Sequence, residues 1–407
     1  MVRVPLIPLE QIRLKLHSSR NTNDENDRDI SKGSSAKAKL NQAVLERLQA
    51  AIKASPEIEL FSEFPRIYKG AVYEQKHASM TPVLFKRDHP KGKPPGPANF
   101  CADLVARARN AEIVYALSDE ARKFLSSYIE PESGSELIGS SLLSSLSQMI
   151  LSCERLWEFP TRGVVLKCNA NLIAKIIRGN NDYTEYTSIQ YLAAYAPEIP
   201  APRPHGLVKF DSVRILFMTY FPSMTLESAW PNLLHEDKVS IQKQLNDIFI
   251  KLRSLTGDGP FLGGVNGEGA KDNHRKSHMS REIISTVAQF EDFQFSIPPH
   301  DGSSWVKFLR SLFPPALSTT VFTHGDVRPA NIMVDINESG KYLVTGIIDW
   351  ETSGFYLDYF EPAKILFLFP MDQASDWWQY LLPCIAPARN PERWLVSRLW
   401  DITVTEF

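Results

Sequence analysis

Three residues with the right chemistry stand close together in the last third of the chain. His324-Gly325-Asp326 is followed five positions later by Asn331, and Asp349 closes an apolar run. Between them lie Ile332-Met333-Val334, a polar turn Asn337-Glu338-Ser339-Gly340, and the apolar stretch from Tyr342 to Ile348. This pattern reads as a β-hairpin with carboxylate and amide groups at its two ends. An acid, an amide and a second acid so placed can hold one or two Mg²⁺ ions and aim a hydroxyl at a nucleotide phosphate. The same residue types also serve as plain turn and cap residues, so the hairpin alone leaves both readings open.

Phosphate chemistry also needs a cation, and the elements upstream offer one. Gly163-Val-Val-Leu-Lys-Cys168, an Asn169-Ala170-Asn171 turn and Leu172-Ile-Ala-Lys-Ile-Ile177 read as two strands of a second hairpin. Lys175 shares a face with Ile173 and Ile177 by the two-residue period, so it points at solvent or meets a partner. In the next stretch, 184–196, Ile189, Leu192 and Ala196 form a helical stripe that includes Glu185. A carboxylate on a buried helix face is costly unless a cation meets it, which makes Lys175 its natural partner. The pair would set an ammonium against nucleotide phosphates. The alternative is a Glu185 at a frayed first turn.

The intervening chain is read from its punctuation. Residues 197–204 (PEIPAPRP) form an extended connector, and 214–221 a strand ended by Pro222. In a nucleotide cleft, residues 218 to 221 would cross from one lobe to the other and offer backbone groups to adenine, with Met218 and Tyr220 beside it. Ile241, Leu245, Ile248, Phe249, Leu252 and Leu255 make a strong helical core stripe. The glycine-rich piece at 257–269 lacks the GK[ST] ending of a P-loop and reads as a mobile surface loop, or else a substrate-covering one. His274 and His278 are spaced like metal ligands but are separated by Arg275 and Lys276, and read as solvated.

Composition removes several classes of function. The chain has 407 residues, 43% of them hydrophobic, and a net charge of −2, an ordinary globular profile that favours neither nucleic acid nor an anionic membrane as partner. Four scattered cysteines (Cys101, Cys153, Cys168, Cys384) without CxxC spacing argue against a zinc site or a disulfide framework, and the expected compartment is the cytoplasm. No apolar run reaches the roughly 18 residues of a membrane span, and Pro5 and Pro8 interrupt any secretory apolar region. Residues 18–39 are polar and read as a flexible linker, 40–52 as a short amphipathic helix, 89–97 as a breaker-rich connection, and 101–150 as helical with Ser118 as an N-cap. No chemical motif precedes about residue 150.

Taken together, THGDVRPANIMV, IIDWETSGFYLDYFEPAK, LIAKI, the Glu185 helix and FMTYF stand in an order that resembles the aminoglycoside phosphotransferase-like, choline-kinase-related family. The resemblance covers roughly residues 157 to 364. Trp350-Glu351 after Asp349, in place of Phe-Gly, resembles this family rather than protein kinases. The resemblance implies an α+β, two-lobed protein-kinase-like fold, with a small antiparallel N-lobe (151–218), a larger, mainly helical C-lobe (219–407) and an N-terminal extension (1–150). It implies ATP or GTP and Mg²⁺ as cofactors. Asp326 resembles the catalytic base, and a carboxylate in reach of a hydroxyl can take its proton. Asn331 and Asp349 resemble the Mg²⁺ ligands, as hard oxygen donors. His324 would orient the loop, and Lys175 with Glu185 would position phosphates. Two positions depart from the family pattern. Arg328 stands where His or Asn is commoner, to contact a phosphate or brace the loop, and Phe159-Pro160-Thr161-Arg162-Gly163 holds one glycine where a glycine-rich loop is expected.

Substrate class follows from an absence. Few residues separate Asp349 from the next apolar segment, 359–369, so the chain lacks a long activation segment as a peptide platform. The expected acceptor is a small molecule with a hydroxyl group, cationic if Glu351, Asp358 and Glu361 form an acidic rim to the cleft; the equal alternative is three solvated carboxylates. The competing reading is a catalytically weak, nucleotide-binding interaction protein. Oligomeric state is not legible.

Overall fold

Alternation in the seven residues of β4 (Leu172–Arg178) governs the first lobe. Leu172, Ala174 and Ile176 turn to one side and are fully buried, while Ile173, Lys175 and Ile177 turn to the other. β4 lies inside a six-stranded antiparallel sheet ordered β1 (Ala111–Tyr115), β5 (Pro204–Phe210), β6 (Val213–Thr219), β4, β3 (Gly163–Lys167) and β2 (Glu154–Phe159). Lys175 stands opposite Val165 on β3 and Leu216 on β6.

Three helices cover the first face: α1 (Phe100–Arg107), α2 (Asp119–Ser126) and α3 (Ser140–Ser152), through Leu104, Leu125, Leu146 and Met149. The stretch 101–150, expected to be helical, also contains β1, which pairs antiparallel with β5. A five-residue strand with mostly half-buried side chains has little periodicity of its own; the open edge of β5 selects it. Ser118 does cap α2, its hydroxyl accepting from the Ala121 N–H at 3.2 Å.

The second face, which carries Lys175, packs on α4 (Thr184–Tyr195). Tyr186, Ile189 and Leu192 join Leu207, Leu216 and Met218 in a core continuous with the second lobe. Residues 218 to 221 lead from β6 toward β7 (Met224–Thr225), and β7 pairs with β11 (Ile332–Ile336), so this stretch joins the sheet lobe to the helical lobe.

In the second lobe the expected stripe forms α6 (His235–Ser254), which follows the one-turn α5 (Leu226–Ala229) and buries Ile241, Leu245, Phe249 and Leu252. It backs β10 (Thr320–Thr323), which pairs with β13 (Gly354–Leu357), and the sheet β12 (Tyr342–Ile347), β11 and β7. β8 (Lys271–Asp272), β9 (His278–Met279), α7 (Val287–Phe295), α8 (Ser304–Ser311), α9 (Phe360–Lys364) and α10 (Pro391–Glu406) complete it. The architecture is α+β, a two-lobed kinase-like fold with an antiparallel first lobe and a mainly helical second lobe.

In this computed structural model the described residues run from 100 to 406, apart from 130–136, 160–161, 180, 258, 260, 273–277, 281, 298–301, 316–318 and 366–375. The chain divides into units Met1–Pro94 and Pro95–Phe407. In the first unit only Leu45, Glu46, Gln49, Ala50 and Lys53 are described, and they are helical. The expected linker at 18–39 and the connection at 89–97 fall outside the described residues. Among the described residues no helix is long and apolar enough to cross a membrane.

The α6 core gives a direct check. Phe249→Ala removes a fully buried ring and should lower stability by about 3 to 5 kcal/mol, whereas Ile250→Ala, on the exposed side, should change it by about 0.5 kcal/mol or less. Denaturant midpoints compare the two; equal shifts would contradict this packing.

Candidate active site

The loop after β10 is fixed by its own backbone. His324 is fully buried, and its Nδ1 accepts from the Asp326 N–H at 3.2 Å. That leaves Nε2 as the donor to the Ile348 carbonyl at 3.0 Å, one residue before Asp349. The imidazole therefore ties the Asp326 end of the hairpin to the Asp349 end, and its ring packs on Trp350 at 4.5 Å. Gly325 adopts φ 86°, and a Cβ there would lie 2.7 Å from the Thr352 hydroxyl, so no other residue fits. The Glu361 carboxylate, at the start of α9, accepts from the Gly325 N–H at 2.8 Å and the His324 N–H at 3.3 Å.

Asp326 is 19% exposed and is oriented through one oxygen. Asn331 Nδ2 donates to Asp326 Oδ2 and to its carbonyl, both at 2.9 Å, and Arg328 Nε lies 3.1 Å from the same Oδ2. The Asn331 carbonyl accepts from the Ile348 N–H at 2.9 Å, which extends the β11–β12 ladder and sets Asn331 beside Asp349.

Asp349 itself has φ 68°, a left-handed conformation uncommon outside glycine and concentrated at functional sites. Its carboxylate meets Lys175 Nζ at 2.5 Å, and Glu185 meets the same ammonium at 2.8 Å. Glu185, Asp349 and Glu351 each bring a carboxylate oxygen within 4.8 Å of the others. One ammonium among three carboxylates explains the titration behaviour. Burial opposes charge on Lys175, but Asp349 and Glu185 outweigh it and raise its pKa. Burial, reinforced by Asp349 and Glu351, pushes Glu185 up to about 7 against the pull of Lys175. Burial and the Asp349 charge also raise Glu351, while Lys175 overcomes burial and lowers Asp349.

A second ionic group, which sequence reasoning missed, adjoins this cluster. Lys271 Nζ, on β8, donates to Asp182 Oδ1 at 2.5 Å and to the Glu351 carbonyl at 3.0 Å. Arg214 Nη2 lies 3.4 Å from Asp182 Oδ2. The only sequence signal is a lysine followed by Asp272 in a glycine-rich context, which does not name a partner 89 positions away.

Two expectations are corrected. Glu361 does not line an acidic rim: it is 2% exposed and faces backbone N–H groups, because α9 starts under the His324 loop. The glycine-rich piece is not a free surface loop, since Gly263 exchanges two 2.8 Å backbone hydrogen bonds with Phe355 of β13 and is buried. His278 lies in β9, while His274 is outside the described residues. The Met218 side chain belongs to the core between the lobes. Tyr220 donates its N–H to the Asn171 carbonyl at 2.7 Å, and its ring lies under Lys167 Nζ at 5.2 Å, so that backbone donor is already engaged within the chain.

Glu361 yields a pH prediction. Burial raises its pKa above the ordinary 4.5, so folding favours the protonated form relative to the unfolded chain. That contribution is complete below 4.5 and is lost as pH rises through the raised value. Glu361→Gln should therefore give a melting temperature that falls less than the parent's between acidic and neutral pH; parallel curves would contradict the burial of this charge.

A family model described as the phosphotransferase enzyme family matches residues 183–389, just over half of the chain. No curated protein matches. Similar solved structures include an aminoglycoside-3'-phosphotransferase of type VIII, 18% identical over 61% of this chain and 93% of that one, with a TM-score of 0.39. Another is aminoglycoside phosphotransferase APH(3'')-Id from Streptomyces rimosus ATCC10970, 15% identical over 64% and 97% of the two chains, with a TM-score of 0.39. A gentamicin-APH(2")-IIa complex is 12% identical over 65% and 86%, with a TM-score of 0.42. The family match includes the Glu185 helix, the His324 to Asn331 loop and Asp349, and by it this chain belongs to the phosphotransferase enzyme family.

Proposed function

We propose that the chain transfers the γ-phosphoryl group of ATP to a hydroxyl group of a small molecule, with Asp326 as the general base. The observation that carries this reading is the convergence of Lys175, Glu185 and Asp349 from three separate elements into one contact beside the Asp326 loop. A cation and an acid held at 2.5 Å in a half-buried cleft is what phosphate and metal together require.

The donor set fits Mg²⁺. Glu185, Asp349 and Glu351 gather hard oxygen ligands, and Asn331 ends the short turn just before β11, its carbonyl bonded to the Ile348 N–H. Asp349 and Asn331 are the proposed ligands, with Glu351 a further carboxylate beside them. When bound, the ion would neutralise charge on the nucleotide phosphates.

The remaining work falls to the chain. Lys175, kept protonated by its two carboxylates, presents a point charge to phosphate oxygens. Asp326, with its Oδ2 held by Asn331 and near Arg328, accepts the proton of the acceptor hydroxyl as that oxygen forms its bond to Pγ. The bond between Pγ and the β-phosphate oxygen breaks, and ADP leaves. The 218 to 221 connector is the proposed adenine edge, through backbone groups other than the Tyr220 N–H.

The short run from Asp349 to α9 favours a small acceptor over a peptide, since Gly354–Leu357 is a strand paired to β10 rather than an open platform. The half-buried Glu351 carboxylate in the cluster favours a cationic one.

A Mg²⁺-dependent ATP turnover assay over a panel of amino alcohols, aminoglycosides and sugars tests this reading. Asp326→Asn should lower turnover by about 10² to 10⁴ while ADP binding persists. Equal turnover by parent and variant would remove Asp326 as base, and no turnover by the parent on any acceptor would leave a nucleotide-binding interaction protein.

A further inference from the structure

We propose that Lys271 is a positioning residue: its ammonium latches the start of the Glu185 helix to the segment that follows Asp349, presetting the nucleotide site. The proposal rests on the phosphotransfer reading and adds the group that sets its geometry.

The side chain is 3% exposed and has two partners, Asp182 just before α4 and the Glu351 carbonyl just after Asp349. Asp182, one partner, is more than a counter-ion. Its Oδ1 also accepts from the Thr184 N–H at 3.2 Å and the Thr184 hydroxyl at 2.9 Å, so it holds the first turn of α4, where Glu185 is the second residue. The other partner, the Glu351 carbonyl, lies two residues past Asp349. One ammonium thus ties both acids that flank Lys175.

The platform behind Lys271 is stiff. Its N–H donates to the Tyr356 hydroxyl of β13 at 3.0 Å, and neighbouring Asp272 is buried against Lys364 at 2.5 Å. A second grip comes from the same segment, where the Thr187 hydroxyl donates to Glu268 Oε1 at 2.5 Å, one turn along α4. Arg214 holds the other oxygen of Asp182 and donates to the Gly179 carbonyl at 2.9 Å, fixing the same turn from the sheet side. The Glu185 helix is therefore held from the helical lobe as well as from its own sheet. If the latch sets the fraction of molecules with Glu185 in place, apparent nucleotide affinity scales with that fraction.

Hydrogen exchange on the nucleotide-free full chain tests the latch without any catalysis. Lys271→Met should speed exchange in α4, with β4 to β6 unchanged, and weaken ADP binding in Mg²⁺ by about tenfold. Lys271→Arg should restore part of both. If Lys271→Met unfolds, Glu268→Ala, at a half-buried position on the second grip, should still speed α4 exchange at an unchanged melting temperature. Exchange in α4 equal to the parent's, with only the melting temperature lowered, would make Lys271 a stabilising residue and overturn the proposal. A parent that binds no ADP would count against the phosphotransfer reading, while the exchange result still decides the latch.

Discussion

One ammonium set among three carboxylates is the constraint on which the site depends. Lys175 cannot be buried alone, and neither can Glu185 or Asp349, because each charge leaves water only if the others meet it. The three come from a strand, a helix and a loop of two lobes, so their contact requires the sheet, α4 and the hairpin to be docked correctly at once. Burial, reinforced by this surplus of negative charge, is why Glu185 and Glu351 hold their protons more tightly than free glutamates, and the same surplus is what the proposed metal would use.

The loop chemistry is built outward from that cluster. His324 links the two ends of the hairpin, Glu361 holds the backbone on either side of the His324–Gly325 bond, and Asn331 turns Asp326 while standing beside Asp349. Asp326 and Asp349, the proposed base and the proposed metal ligand, are therefore parts of one hydrogen-bonded unit. Left-handed backbone at Asp349 and the crowded Gly325 mark where this unit is held away from ordinary strand geometry.

What the sequence made legible was local or periodic. The spacing of Asp326, Asn331 and Asp349 belongs to one hairpin, the β4 alternation put Lys175 on one face, and a helical stripe carried Glu185 with it. What it hid was long-range. Asp182, Arg214 and Lys271 meet only after the lobes close, and nothing near Lys271 in the chain marks it as buried. Glu361 read as a rim or solvated carboxylate, whereas its true partners are backbone N–H groups that no side-chain pattern records. β1 escaped because its strand character comes from the edge of β5. The glycine-rich piece looked mobile, yet its small residues serve close packing against β13.

The most direct test of the charge cluster is calorimetric titration of a non-hydrolysable ATP analogue into the parent and Asp349→Ala, each with and without Mg²⁺. The account predicts that Mg²⁺ strengthens binding to the parent and that this gain disappears in Asp349→Ala. An analogue that binds the parent equally well with and without the ion, or a variant that keeps the full Mg²⁺ gain, would contradict it.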